Sequence, residues 1–201
     1  MTHPTYILNW LKIGLEQSTG SLTENFYYDK RDNEFFSIMA VDYFMLDEDL
    51  NISNDVTTSY SKIQENSLID RIQRIENNDP DIISIPRVSL EDRKAFMRKF
   101  VQALPGRKLD NLLYEQIQNQ DYRTKFDFYF GNEIDETTKQ HWEDEKANFL
   151  HEQVAIFLHL NNINIETASF WDVEAKGSIS IDLTKEDKQD SLPTNLEEPK
   201  L

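Results

Sequence analysis

Apolar residues recur at Trp142, Phe149, Leu150, Val154, Phe157, Leu158 and Ile163. These are the three-, four- and seven-residue steps of one helix face, and they predict a long helix within residues 135–163. Its first half is amphipathic, with Glu143, Asp144, Glu145 and Lys146 turned to water. Its second half, Val154 to Leu160, is apolar nearly all round except for His159, which predicts a place at the centre of the core. Asp135 suits the N-cap, and Asn161-Asn162 suits the left-handed residue that ends a helix.

The same periodicity, taken from the start of the chain, predicts a first helix behind Pro4, with Tyr6, Ile7, Trp10, Leu11 and Leu15 inward and an end at Ser18-Thr19-Gly20. Two aromatic runs, Asn25-Phe-Tyr-Tyr28 and Glu34-Phe-Phe-Ser-Ile38, flank Asp29-Lys-Arg-Asp-Asn33. They read as a β-hairpin with Asn33 at positive φ. Val41 to Leu46 reads as a third strand, and polar residues 51–60 as a loop. Ser61 to Asn77 repeats Ile63, Leu68, Ile69, Ile72 and Ile75 as a second amphipathic helix, which Asp79-Pro80 breaks. Ile82 to Ile85 forms a short buried strand. Ser89 caps a helix with acids in its first turn, and that helix buries Phe96, Met97, Phe100, Val101 and Leu104. A further helix from about Lys108 to Asn119 turns Leu109, Leu112, Leu113 and Ile117 inward. Tyr122, Phe126 and Tyr129 give one more helical stripe, with Phe128 and Phe130 leaving a strand open.

Helix, a few strands, then a run of helices argues α+β rather than a parallel α/β sheet. The expected architecture is mostly helical: an N-terminal helix, a small antiparallel hairpin or sheet, and a C-terminal helical bundle. Residues 1–165 would form a single domain. Residues 166–201, with nine acids and four lysines, would form a flexible acidic extension with one possible strand at 178–183 and disorder beyond 185.

Composition narrows the chemistry. The absence of cysteine excludes disulfides, thiolate zinc sites and cysteine nucleophiles. The first residues carry no basic n-region, and no apolar run approaches the ~18 residues of a membrane span, so a cytoplasmic location is expected. A net charge of −16 disfavours non-specific attraction to nucleic acid or anionic lipid. Charge is nevertheless uneven: residues 87–125 hold nine basic against five acidic side chains, leaving +4 there and −20 on the rest.

Several stretches together carry a resemblance. The hairpin Tyr27-Tyr-Asp-Lys-Arg-Asp-Asn-Glu-Phe-Phe36 follows an N-terminal helix. Then come Ile-Ser-Ile-Pro86, a helix with Met97 three residues before Phe100, Leu112-Leu-Tyr-Glu-Gln-Ile117, Tyr122-Arg-Thr-Lys-Phe126 and the Trp142 helix. Over roughly residues 5–163 this order resembles the bacterial uncharacterised protein family 0158, a family of unknown function. Asn33 stands where that family usually has a glycine turn, and Gln118-Asn-Gln-Asp121 replaces a more basic, Gly-rich turn. The resemblance implies the fold and a cytoplasmic location, and it transfers no catalytic residue.

Candidate chemistry is sparse. His141 and His159 share a helix face but lie ~27 Å apart at 1.5 Å per residue, too far to share a metal. His151-Glu152 lacks the second histidine of a zincin motif. The acid runs Asp47-Glu48-Asp49 and Glu143-Asp144-Glu145 place neighbours about 100° apart if helical, which makes solvated charge and not a dyad. Asp47-Glu-Asp-Leu-Asn51 lacks the glycine and the twelfth-position glutamate of an EF-hand. No Gly-x-Ser-x-Gly elbow or Gly-rich phosphate loop is present. Neither a catalytic residue nor a metal or cofactor site is therefore expected.

The basic stretch remains. Arg93, Arg98, Arg123 and Lys125 are the candidate anion or partner surface, with Arg93, Lys94, Arg98 and Lys99 on the outer side of their helix. Tyr122 and Phe126 beside Arg123 and Lys125 could add stacking to a phosphate grip. The plainer reading is surface pairs that offset the acidic remainder. Three functions stay open. The first is a non-catalytic interaction or regulatory domain whose partner is another protein, with a small anionic ligand possible. The second is a nucleic-acid-associated protein, gripping phosphate through 87–125 or presenting an acidic DNA-mimic surface. The third is an enzyme without a recognisable motif. No membrane association and no general DNA binding are expected.

Overall fold

The computed structural model describes residues 3–17, 24–53, 56–58, 60–104, 110–121, 123–132, 134–171 and 179–181. In chain order the elements are α1 (His3–Glu16), β1 (Glu24–Asp29), β2 (Glu34–Met39), α2 (Ala40–Tyr43), β3 (Val56–Thr58) and α3 (Lys62–Glu76). They continue with β4 (Ile82–Ser84), α4 (Leu90–Ala103), α5 (Asp110–Gln118), α6 (Glu136–Leu160), β5 (Ser169–Phe170) and β6 (Ile179–Ile181). The fold is α+β and mostly helical.

The aromatic hairpin forms as its spacing requires. β1 and β2 pair antiparallel with Tyr28 opposite Phe35, and Asn33 takes φ 56° at the turn. The Asn33 side chain holds that turn by accepting from the Tyr28 hydroxyl at 2.6 Å and donating to the Thr167 carbonyl at 2.8 Å. β4 adds antiparallel to β1 and β5 adds parallel to β2, giving the order β4-β1-β2-β5. Both faces of the hairpin are buried, which is why its sequence reads as continuous aromatics and not as an alternation. Phe26, Tyr28 and Phe35 face one core with α1, α4, α5 and α6. Tyr27, Phe36 and Ile38 face the other with Leu68 and Ile72 of α3.

A charge cluster ties α3 to the hairpin. Arg74 forks onto the fully buried Asp29 and also bonds Asp79 at 2.7 Å. Arg71, equally buried, bonds Glu34 and Ser67, and its guanidinium lies 5.0 Å from the Phe36 ring and 4.8 Å from the Trp171 ring. Two rings and three acceptors, with Asp32 at 3.4 Å the third, replace much of the water that burial removes.

Several expectations need correction. The strand at Val41–Leu46 is instead helix α2 and a turn, because the buried Asp42 carboxylate accepts from the Met39 N–H at 2.6 Å and draws the chain out of the sheet. The loop at 51–60 contains β3, which pairs antiparallel with β6 from far along the chain, a pairing no local pattern reveals. The stripe expected at Tyr122, Phe126 and Tyr129 is not helical over its described residues 123–129. Asp121 Oδ1 accepts from the N–H groups of Arg123 and Thr124 at 2.8 and 2.9 Å, closing a turn that the described residues after it do not continue as a helix. Ile63 on α3 is 82% exposed and Leu112 on α5 is 42% exposed, each one step off its buried stripe.

α6 starts where Asp135 accepts from the Thr138 N–H at 2.9 Å, and Asn162 follows its end at φ 54°. Trp142, Leu150, Val154 and Phe157 are buried, with the Trp142 ring 5.5 Å from Phe96 and 5.1 Å from Phe100. The second half is not central all round: Ile156 and Leu160 point to solvent at 51% and 71% exposure, because only one face meets the core.

The acidic extension from 166 begins inside the fold. Ala168 and Trp171 are buried, Ser169 N–H donates to the Asn33 carbonyl at 3.0 Å, and Trp171 N–H donates to the Phe35 carbonyl at 2.9 Å. Phe170 meets Tyr6 and Trp10 edge-on. The strand expected within 178–183 is β6; the disorder expected beyond 185 concerns residues outside the described ones.

Candidate functional site

The basic residues of the 87–125 stretch part company. Arg93 does not face outward. It is 3% exposed, and its guanidinium donates to the carbonyls of Val88 (3.1 Å), Glu16 (3.0 Å) and Gln17 (2.6 Å) while lying 5.4 Å from the Phe126 ring. The end of α1 leaves carbonyls without helical partners, and a buried guanidinium supplies their donors. Burial pulls Arg93 below the ordinary arginine pKa, with Glu16 opposing the shift. Arg98 is exposed on α4 and borders none of the clefts below, and Lys94 donates to the Gln118 carbonyl at 3.2 Å.

Arg123 and Lys125 do converge. They sit on the connection between α5 and α6, whose described residues take their conformation from their side chains. The Asp121 turn opens it, and then Phe126 and Phe128 point inward against Trp142 at 6.1 and 4.6 Å while Lys125 and Tyr129 point outward. Both cations border a cleft of about 460 Å3 with Ile13, Glu16 and Gln17 of the α1 end and Lys146 of α6. Arg123 makes no ion pair among the described residues.

Lys146 is the buried cation at this cleft, 7% exposed, with Nζ 3.4 Å from a carboxylate oxygen of each of Glu16, Asp127 and Glu143. From the sequence, Lys146 is expected to face water with its acidic neighbours. Its position four residues after Trp142, on the same helix face, was the signal available. Asp127 Oδ1 accepts from the Trp142 indole at 2.7 Å and the Phe128 N–H at 3.0 Å, and its Oδ2 lies 3.2 Å from Lys125. Burial pushes the Asp127 carboxyl up, but the indole bond and the charges of Lys146 and Lys125 outweigh it and leave the group below its ordinary value. Burial pushes Lys146 down, and Glu16, Asp127 and Glu143 outweigh it and leave the ammonium above its ordinary value. Both groups therefore hold their charges across the neutral range.

A second cleft of about 460 Å3 shares Lys125 and is bordered by Gln116, Gln120, Thr124, Phe128 and Tyr129. Gln116 clamps the Tyr129 backbone from both sides: its Oε1 accepts from the N–H at 2.7 Å and its Nε2 donates to the carbonyl at 3.0 Å. The Tyr129 ring is left 81% exposed on a braced mount. Beside the two clefts, the buried amide oxygens of Gln17 and Gln120 accept no hydrogen bond from the described residues.

His141, His151 and His159 are exposed, and His141 stands 5.4 Å from the Phe100 ring. Among the described residues no group of three or more His, Asp or Glu is placed to hold a metal ion, and no helix is long and apolar enough to cross a membrane. Comparison with protein-family models, with curated proteins and with solved structures finds no match.

Proposed function

We propose that this chain is a non-catalytic interaction domain that receives an acidic group of a partner protein in the cleft bordered by Arg123, Lys125 and Lys146. The observation that carries this reading is Arg123, a guanidinium without an ion pair among the described residues at a cleft whose other exposed cation is Lys125. A guanidinium fork matches a carboxylate in geometry as well as charge. The buried Lys146 is neutralised by its three carboxylates and serves to brace α1, α6 and the α5–α6 connection against one another. Ile13, 56% exposed, gives the cleft an apolar lip that suits a protein partner.

Two other readings fit less well. Proton-transfer chemistry wants a group poised near the working pH, whereas Asp127 and Lys146 are both pushed away from it. A phosphate grip with base stacking loses Phe126, which is fully buried.

The test is a titration of the protein with a capped hexaglutamate peptide, followed by amide shifts in NMR at low salt. The Arg123 and Lys125 resonances should move, and R123E/K125E should abolish the response. R98E, equally a loss of surface charge but outside the cleft, should retain it. Equal losses in both variants would show that the peptide senses only the general field, and the reading would be withdrawn.

A further inference from the structure

The two clefts meet at Lys125, and what borders them differs in kind. On one side stand Arg123 and Lys146, on the other the exposed Tyr129 ring above buried Phe128. Resting on the interaction reading above, we infer that the two form one groove for an extended peptide segment, with an acidic side chain at Arg123 and Lys125 and an aromatic side chain against Tyr129.

Three observations point to this occupant. First, Tyr129 is held from both backbone sides by Gln116, so its exposure is built in and not the result of a loose loop. A rigid, exposed aromatic offers large contact area with little ordering cost, which is how such residues act at interfaces. Second, the cations lie at one end and the aromatic at the other, so a ligand using both must be amphipathic along its length. Side chains on an extended chain, about 3.3 Å per residue, are spaced to do so. Third, the charge of −20 outside the basic stretch favours a short segment carrying one or two acids over a polyanion.

The experiment uses the full chain and capped tetrapeptides with Glu first and Phe at the second, third or fourth position. The controls carry Gln for Glu or Ala for Phe, and adenosine monophosphate supplies the combination of a planar ring with phosphate. Amide shifts at Arg123, Lys125 and Tyr129 report the two ends separately. At least one Glu–Phe spacing should move all three, with half-saturation at a concentration at least tenfold lower than either single-group peptide. Y129A removes an exposed ring and should fold normally. It should abolish that tenfold advantage while leaving the Glu-only peptide unchanged. If the acid end binds and Tyr129 stays silent at every spacing, the groove is overturned and the acidic-group reading stands. Failure at both ends overturns both. Tighter binding of adenosine monophosphate than of any peptide overturns the peptide assignment in favour of a nucleotide.

Discussion

Asp127 sits between an indole and two ammonium groups, and the direction of its ionisation sets a pH dependence for the whole fold. Its folded pKa lies below the ordinary 3.8, so its stabilising contribution is complete above that value and is lost as pH falls through the folded one. Lys146 is the mirror case, lying above its ordinary 10.5, with a contribution present below that pH and lost as pH rises through the folded value. D127N should therefore be less stable than the parent at neutral pH, with the gap closing below about pH 4. Urea midpoints for both proteins between pH 3 and 7 measure this, and a gap that stayed constant on acidification would contradict it. A neutral control comes from Phe157, buried at 6% exposure: F157A should lose about 3–5 kcal/mol at any pH. At this scale the sequence was legible for apolar residues and poorly legible for charged ones. Phe157 and Trp142 announced their burial by spacing. Arg93 and Lys146 did not, because what buries a cation is the set of carbonyls and carboxylates brought from α1 and the α5–α6 connection, and those arrive only with the tertiary fold.

Elements whose caps and periods agreed were legible as wholes. α6 begins at Asp135, and D135A should cost about 1 kcal/mol, as the loss of an N-cap acceptor does. D144A on the exposed face of the same helix should cost little, and equal losses from the two would argue against a capping role. The hairpin was legible for the same reason, since its turn residue and its aromatic strands point the same way. Where local propensity and side-chain chemistry disagree, the side chain decided. Asp42 turned a β-like run into α2, and after the Asp121 turn the chain runs on without helix. That departure created the candidate site: a helix there would not have alternated Lys125 and Tyr129 outward with Phe126 and Phe128 inward. Trp171 carries the element-scale lesson furthest. It closes the second core from a stretch whose composition reads as tail, with its ring on the Arg71 guanidinium. W171A should lower the unfolding midpoint by several degrees, and an unchanged midpoint would show that this docking contributes nothing.

The whole molecule sets the limits within which any cation cleft must operate. Nine basic and five acidic side chains between 87 and 125 sit inside a chain of net −16. Of these cations, Arg93 is spent inside the core and Lys94 on a carbonyl, so Arg123 and Lys125 work nearly alone at the cleft. Their field extends no further than the Debye length, about 8–10 Å at physiological salt. A ligand contained within that distance feels the cleft; one that reaches past it feels the acidic remainder. A duplex runs far beyond it and presents one charge per roughly 1.7 Å of its axis. The Asp47-Glu48-Asp49 loop and the exposed acids of α6 would repel it. Titration with a short oligonucleotide and with a long duplex, each at low and at moderate salt, should therefore give at most weak, salt-sensitive binding of the short strand and none of the duplex. Duplex binding that survived moderate salt would mean that a continuous positive surface exists, and with only two exposed cations at the cleft the acidic-group reading would then have to give way to nucleic acid.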